Sequence, residues 1–382
     1  MKKSILIILS ILNSVNFVNA QELYESAYEW KVPGGEYINP VSFFSMHGYV
    51  NAVFVSESEE WTKGYFNGLG MPGQLITPNT NESSFTNDEA LWISSELNKQ
   101  TSLVMEMHLV TDPSGTGAAG PGALTIALTE ANVKLKLYKS YLNVALGTFW
   151  SPFGIHNSDW LGAQNLFTLI PLASGAYITH YNERGIRVDG YYDKGKYGFN
   201  YVFSVGNGFN AYDIRGWTGY DLNSNKAVNG RISFFPGFGD KLNIGISYSN
   251  AHMHEGHHQL PVTSKMDYHH SLNAYGADLK INLKKFKLRS YMIYSEETLK
   301  NSLEHINLPN LGVMSEISYQ LSFNKTEKID CIAPKFRVDY LKKNQKGFDV
   351  SNTYMNYSFG VNLIVNESYS ISADYNIMTE KN

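Results

Sequence analysis

The stretch GIRVDGYYD (185–193), KGK (194–196), YGFNYVFSVG (197–206) decides the fold. Its second half sets Tyr197, Phe199, Tyr201 and Phe203 on one face and Gly198, Asn200 and Ser204 on the other. Successive side chains of an extended chain point to opposite sides, so this period of two predicts a β-strand whose faces meet different surroundings. Lys194, Gly195 and Lys196 form a connection short enough to turn the chain straight back, which makes the two halves an antiparallel hairpin.

The same alternation recurs on both sides of that hairpin. Upstream it predicts strands over Phe44 to Val55, Ala90 to Leu97, Ser102 to Leu109, Ala127 to Tyr138 and Leu142 to Phe149. Downstream it predicts Val228 to Phe235, Leu242 to Ser249, Leu272 to Leu283, Phe286 to Ser295, Met314 to Phe323, Cys331 to Tyr340, Tyr354 to Val365 and Tyr369 to Asn376. The 3.6-residue spacing of an amphipathic helix does not recur. Short and long connections alternate strictly, and the strands approach the nine to eleven residues that cross a bilayer at a tilt.

The predicted fold class is therefore all-β, a transmembrane antiparallel β-barrel of about 16 strands. Bacterial barrels carry an even strand number, with short periplasmic turns and long external loops. Fifteen strands leave the last one running outward, so the expectation is that the final strand is missing from this chain, or that one near the N-terminus is merged.

Composition agrees with a barrel. Aromatic residues make up 14%, with 26 Tyr and 20 Phe, yet mean hydropathy is slightly negative at -0.26. A barrel reconciles these values, because half its wall faces water while aromatics gather at the lipid interfaces. The net charge of -4 offers no basic patch suited to nucleic acid, and Cys331 alone excludes an internal disulfide.

The start, MKKSILIILSILNSVNFVNA (1–20), pairs Lys2 and Lys3 with an apolar run and ends on Val18, Asn19 and Ala20. That is the pattern of a cleaved secretory signal. The expected organisation is a signal peptide over 1–20, a periplasmic N-terminal segment over 21–41 and an outer-membrane barrel over 42–382, with 150–184 as a constriction loop folded inward.

Two stretches carry a family resemblance. Leu146, Gly147, Thr148, Phe149, Trp150, Ser151, Pro152, Phe153 and Gly154 form one; Tyr181, Asn182, Glu183, Arg184, Gly185, Ile186, Arg187, Val188, Asp189 and Gly190 form the other. Both are similar to motifs of the phosphate-selective porin family (porins O and P) of Gram-negative outer membranes, which the chain resembles as a divergent member. The resemblance implies a sixteen-stranded channel, often a homotrimer, with its third external loop as the constriction. It also implies at most a weak, phosphate-type anion selectivity, since the dense basic ladder of the best-known members is absent here.

If the apolar parity faces lipid, the opposite parity lists the lumen. Its basic members are Lys134, Lys136, Arg187, Arg231, Lys280, Lys287, Arg289, Lys335 and Arg337, and its acidic members are Glu96, Glu106, Glu130, Asp189, Asp278, Glu316, Asp339 and Asp374. The signs nearly cancel, and neighbours such as Arg187 with Asp189 or Arg337 with Asp339 are placed to pair. Ion selectivity needs a ring of one sign, so the expected channel is weakly selective. For the constriction, His156, Asp159, Glu183, Arg184 and Arg187 oppose charges across a narrow path.

His252, His254, His257 and His258 concentrate imidazoles in an external loop, a set able to bind Zn²⁺, Cu²⁺ or Ni²⁺. Without a standard structural-zinc spacing, a solvated loop is the favoured reading. There is no Gly-x-Ser-x-Gly elbow. The expected protein is a cofactor-free, non-enzymatic porin in contact with outer-membrane lipid, passing small hydrophilic solutes and ions. The alternative is a plugged barrel used for surface binding, adhesion or metal capture.

Overall fold

A computed structural model describes residues 3–13, 45–57, 83–111, 124–155, 166–167, 169–177, 182–194, 197–208, 225–236, 241–253, 269–300, 305–323, 330–345, 350–365 and 369–381. Among the described residues seventeen strands run in chain order: β1 (Lys3–Asn13), β2 (Ser45–Glu57), β3 (Ser83–Asn98), β4 (Thr101–Thr111), β5 (Leu124–Tyr138), β6 (Leu142–Trp150), β7 (Asn182–Lys194), β8 (Tyr197–Gly206) and β9 (Ala227–Pro236). Then come β10 (Leu242–Met253), β11 (His269–Leu283), β12 (Phe286–Lys300), β13 (His305–Tyr319), β14 (Leu321–Ser322), β15 (Cys331–Gln345), β16 (Val350–Val365) and β17 (Tyr369–Lys381). β14 is a two-residue continuation of β13 along the same neighbour, β15.

From β2 to β17 each strand pairs antiparallel with the next, including β9 with β10. β1 lies antiparallel between β17 and β2 and completes the ring. The antiparallel all-β wall is the predicted one, while the place of the sixteenth strand is taken by β1, which lies within the 1–20 stretch read as a signal peptide. Leu6 and Ile8 stand in register with Asn376 and Asp374 there.

Parity divides the wall as an outer-membrane barrel requires. On β10, Asn243, Ser247 and Ser249 are buried inside while Ile246 is 62% exposed on the other face. On β8, Asn200 and Ser204 point in, while Tyr197, Phe199 and Phe203 are exposed. A bulge between β4 and β5 at Thr129 resets parity, so that Leu128 faces out and Glu130 faces in.

Exposed aromatics gather at two levels. Near the short turns Tyr141 lies 5.7 Å from both Tyr138 and Tyr192, and Tyr197 stacks on Phe234 at 6.1 Å. Toward the long loops Tyr248, Tyr275 and Tyr294 form a cross-strand row at 5.4 and 6.5 Å. Between Phe286 and Tyr294 on β12, the strand rise and tilt give about 20 Å, close to the apolar band of such barrels.

The structure extends the predicted strands mainly at their long-loop ends. β12 reaches Lys300 rather than Ser295, and β15 reaches Gln345 rather than Tyr340. β13 begins at His305, nine residues before the predicted Met314.

Candidate functional site

The interior of the barrel is crossed by the segment between β6 and β7. Ser151 to Ile155 leave β6 and turn inward, with Gly154 at φ 62°, and a 3-10 turn spans Leu172–Ala176. Phe153 stacks on Tyr177 with ring centroids 4.2 Å apart. This pins the two ends of the loop to each other.

The loop docks on the far wall, and the wall is shaped for it. At most inward positions the strands carry polar residues, but around the 3-10 turn they carry Leu272, Ile293, Met314, Leu341, Tyr354 and Met378, which pack with Leu172, Ala173 and Ala176 in one buried cluster. Ile293, Gly312, Leu341 and Tyr354 form a single cross-strand row. Gly312 lies in the middle, and a Cβ there would stand 2.0 Å from the carbonyl oxygen of Ala173.

Polar contacts hold the loop backbone. Arg337 Nη1 donates to Leu169 O at 2.8 Å, Lys335 Nζ to Leu166 O at 2.5 Å and Lys343 Nζ to Gly175 O at 2.9 Å. Ser295 donates to Ala176 O, and Asn362 to Leu166 O. The Phe167 ring lies under both Lys335 and Arg337, at 4.6 and 4.7 Å.

At the loop's return, Tyr177 shares a 2.9 Å hydrogen bond with Ser249. Ser249 Oγ donates to Asn229 Oδ1, so Tyr177 is the donor to Ser249. Asn229 in turn donates to Glu183 Oε2 at 2.9 Å. Burial pushes the Tyr177 hydroxyl above its ordinary range, which keeps it protonated as that donor. Phe153→Ala is expected to destabilise the barrel by about 3 kcal/mol through the lost stack and cavity, read as a lower midpoint of urea unfolding followed by heat-modifiable gel migration.

Among the described residues, many interior charges are paired. Lys134 meets Asp189 at 3.1 Å, Arg231 meets Asp278 at 2.7 Å and Lys335 meets Asp374 at 2.5 Å. Arg337 lies 3.0 Å from Asp339 and 4.0 Å from Glu316, and Glu316 is also bound by Arg289. Arg187 bridges Glu130 at 3.7 Å and Asp189 at 3.5 Å, beneath the Phe149 ring. Glu106 takes hydrogen bonds from His108 Nε2 at 2.8 Å and Trp150 Nε1 at 2.7 Å. Arg337, Asp339 and Glu316 are each 0% exposed.

Most sequence-predicted lumen residues occupy inward positions: Lys134, Arg187, Arg231, Arg289, Lys335 and Arg337 as above, and Lys280, Lys287 and Lys136 toward the short turns. Lys136 is 3.6 Å from Glu96 near the surface. Glu183 also points inward. Arg184 is a correction: β7 begins at Asn182, so Arg184 shares the outward parity of the exposed Ile186 and does not line the interior. His156 and Asp159 lie outside the described residues.

Of the imidazole set, His252 belongs to the end of β10, while His254, His257 and His258 lie outside the described residues. No group of three or more metal-ligating residues occurs among the described residues. Sequence reading missed Lys343, Phe167 and Gly312. Lys343 lies beyond the predicted end of its strand, and the other two show their role only once the loop is in place.

No protein-family model and no curated protein matches the chain. Among solved structures, it is similar to OmpTdeltaL8, a loop-deletion mutant of an outer membrane protein of Vibrio cholerae, at 7% identity over 99% of each chain with a TM-score of 0.46. The outer membrane channel DcaP of Acinetobacter baumannii gives 9% identity over 99% of this chain and 96% of that one, at 0.45. The anion-selective porin from Comamonas acidovorans gives 8% over 100% and 99%, at 0.43. With these TM-scores below 0.5, the functional reading rests on the residues of the interior.

Proposed function

We propose that the chain is an exported outer-membrane porin, a passive channel for small hydrophilic solutes and ions, with the loop between β6 and β7 as its constriction. The observation that carries this reading is an inner wall of charged and hydrogen-bonding side chains on strands around the ring, crossed by a loop tied to the far side. A wall of this polarity suits an aqueous path, since taking each ion wholly out of water costs several kcal/mol. The ion pairing supports weak selectivity, because it leaves neither sign as an uninterrupted ring. A phosphate-type anion preference and a homotrimeric assembly rest on the family resemblance. No residue is assigned a catalytic role. Cleavage after Ala20 on export removes β1 from its place, and N-terminal sequencing of the membrane-extracted protein reads that event directly.

The solvent exclusion of Arg337, Asp339 and Glu316 favours a second reading, a barrel plugged by its loop and used for binding. Single-channel recording in planar bilayers across a KCl gradient separates the two. Small stable steps with a reversal potential near zero are expected of the porin. A folded barrel that inserts and stays silent assigns the plug.

A further inference from the structure

The rim made by the short connections is basic. Lys99 sits in the β3–β4 turn, Lys139 in the β5–β6 turn, Lys241 before β10, and Lys284 with Lys285 in the β11–β12 turn; all five are exposed. Because consecutive antiparallel strands place alternate connections at the same end, these lysines share one rim. Of the acidic residues described beside them, Asp193 and Asp330 are half-buried, and the exposed Glu96 stands 3.6 Å from Lys136.

Next to Lys99, Lys139 and the Lys284–Lys285 pair, on the outward face, stand large exposed side chains: Leu97, Tyr138, Leu283 and Tyr319. Lys139, at the positive φ of a tight turn, holds its ammonium 5.8 Å from the Tyr138 ring. Cationic heads therefore sit directly beyond a hydrocarbon-like belt.

We propose that this rim binds the headgroups of anionic phospholipids, with phosphates on the lysine ammonium groups and acyl chains along the exposed belt. A soluble polyanion would satisfy the lysines alone. Only an amphiphile presents a phosphate within a few ångströms of hydrocarbon and uses both halves of the surface. The inference holds whether or not the lumen conducts.

The test uses the full-length barrel in nanodiscs of equal parts phosphatidylglycerol and phosphatidylcholine, with retained lipids identified by native mass spectrometry. Phosphatidylglycerol is expected to be retained over phosphatidylcholine by on the order of tenfold, and the enrichment should shrink as salt rises. The combined variant K99Q/K139Q/K284Q/K285Q is expected to approach parity. Lys226 and Lys342 are exposed toward the opposite rim, so K226Q/K342Q should retain the full enrichment. Parity in the unaltered protein overturns the proposal, as does enrichment that survives in the four-lysine variant. If that variant does not fold, the salt series on the unaltered protein decides, and a salt-independent enrichment overturns it. Displacement of the lipid by soluble polyphosphate assigns the rim to a free polyanion and also overturns it.

Discussion

Gly312→Val lifts the loop off the far wall and raises the conductance of the barrel. The Cβ of any residue at this position falls 2.0 Å from Ala173 O, a backbone atom that cannot rotate away. Either β13 or the 3-10 turn must shift, and only the turn is free of a strand ladder on both sides. The turn is held by an apolar cluster and by donors from Lys343 and Ser295, all of which need it flush against the row formed by Ile293, Leu341 and Tyr354. Overpacking of this kind costs about 1 to 3 kcal/mol. The cost falls on the docked state, so the expected readout is a larger single-channel step with the heat-modifiable barrel intact. Unchanged conductance in a folded Gly312→Val barrel shows that the turn does not control the path.

Arg337→Met has the largest expected effect on stability. Arg337 is wholly buried, pairs with Asp339 and Glu316, and donates to Leu169 O. Its removal leaves the buried Asp339 with Asn356 as a side-chain partner, at 3.4 Å. Breaking one side of a buried pair costs about 3 to 5 kcal/mol, whereas replacing both sides by apolar groups is often close to neutral. Arg337→Met should therefore lower the urea midpoint sharply, and Arg337→Met with Asp339→Leu should recover most of it. If the double variant is as unstable as the single one, the loss comes from the loop contacts rather than the orphaned carboxylate.

How far the sequence revealed this arrangement depends on distance along the chain. Strand edges at short turns were legible: Tyr197 and Leu242 begin strands where the alternation placed them, because turn residues interrupt it sharply. The long-loop ends were not, because the outward positions beyond Tyr294, Glu296 and Thr298, are polar and the contrast between faces fades. β13 was shortened for a different reason. Pro309 lacks the backbone donor and argues against a strand interior, yet the strand runs through it.

Within the candidate site, parity placed Arg187 inside, whereas Glu183 was read as a loop charge and points inward as a strand residue. Arg184 was misplaced because a loop reading assigns no parity, and the strand begins three residues earlier than Gly185, at Asn182, which sets its direction outward. The docking of Leu169 on Arg337 joins residues 168 positions apart. No local pattern encodes such a pairing, although the break in inward polarity at Leu272, Ile293 and Leu341 marks, in retrospect, where a loop must cover the wall.

The most direct test of the loop as the determinant of the bore is to replace residues 156–176 with a short Gly-Ser linker and record single channels beside the unaltered protein. A severalfold larger step in the shortened barrel, with heat-modifiable migration retained, is the expected result. Identical conductance in the two proteins contradicts the account, because the path would then lie clear of the loop.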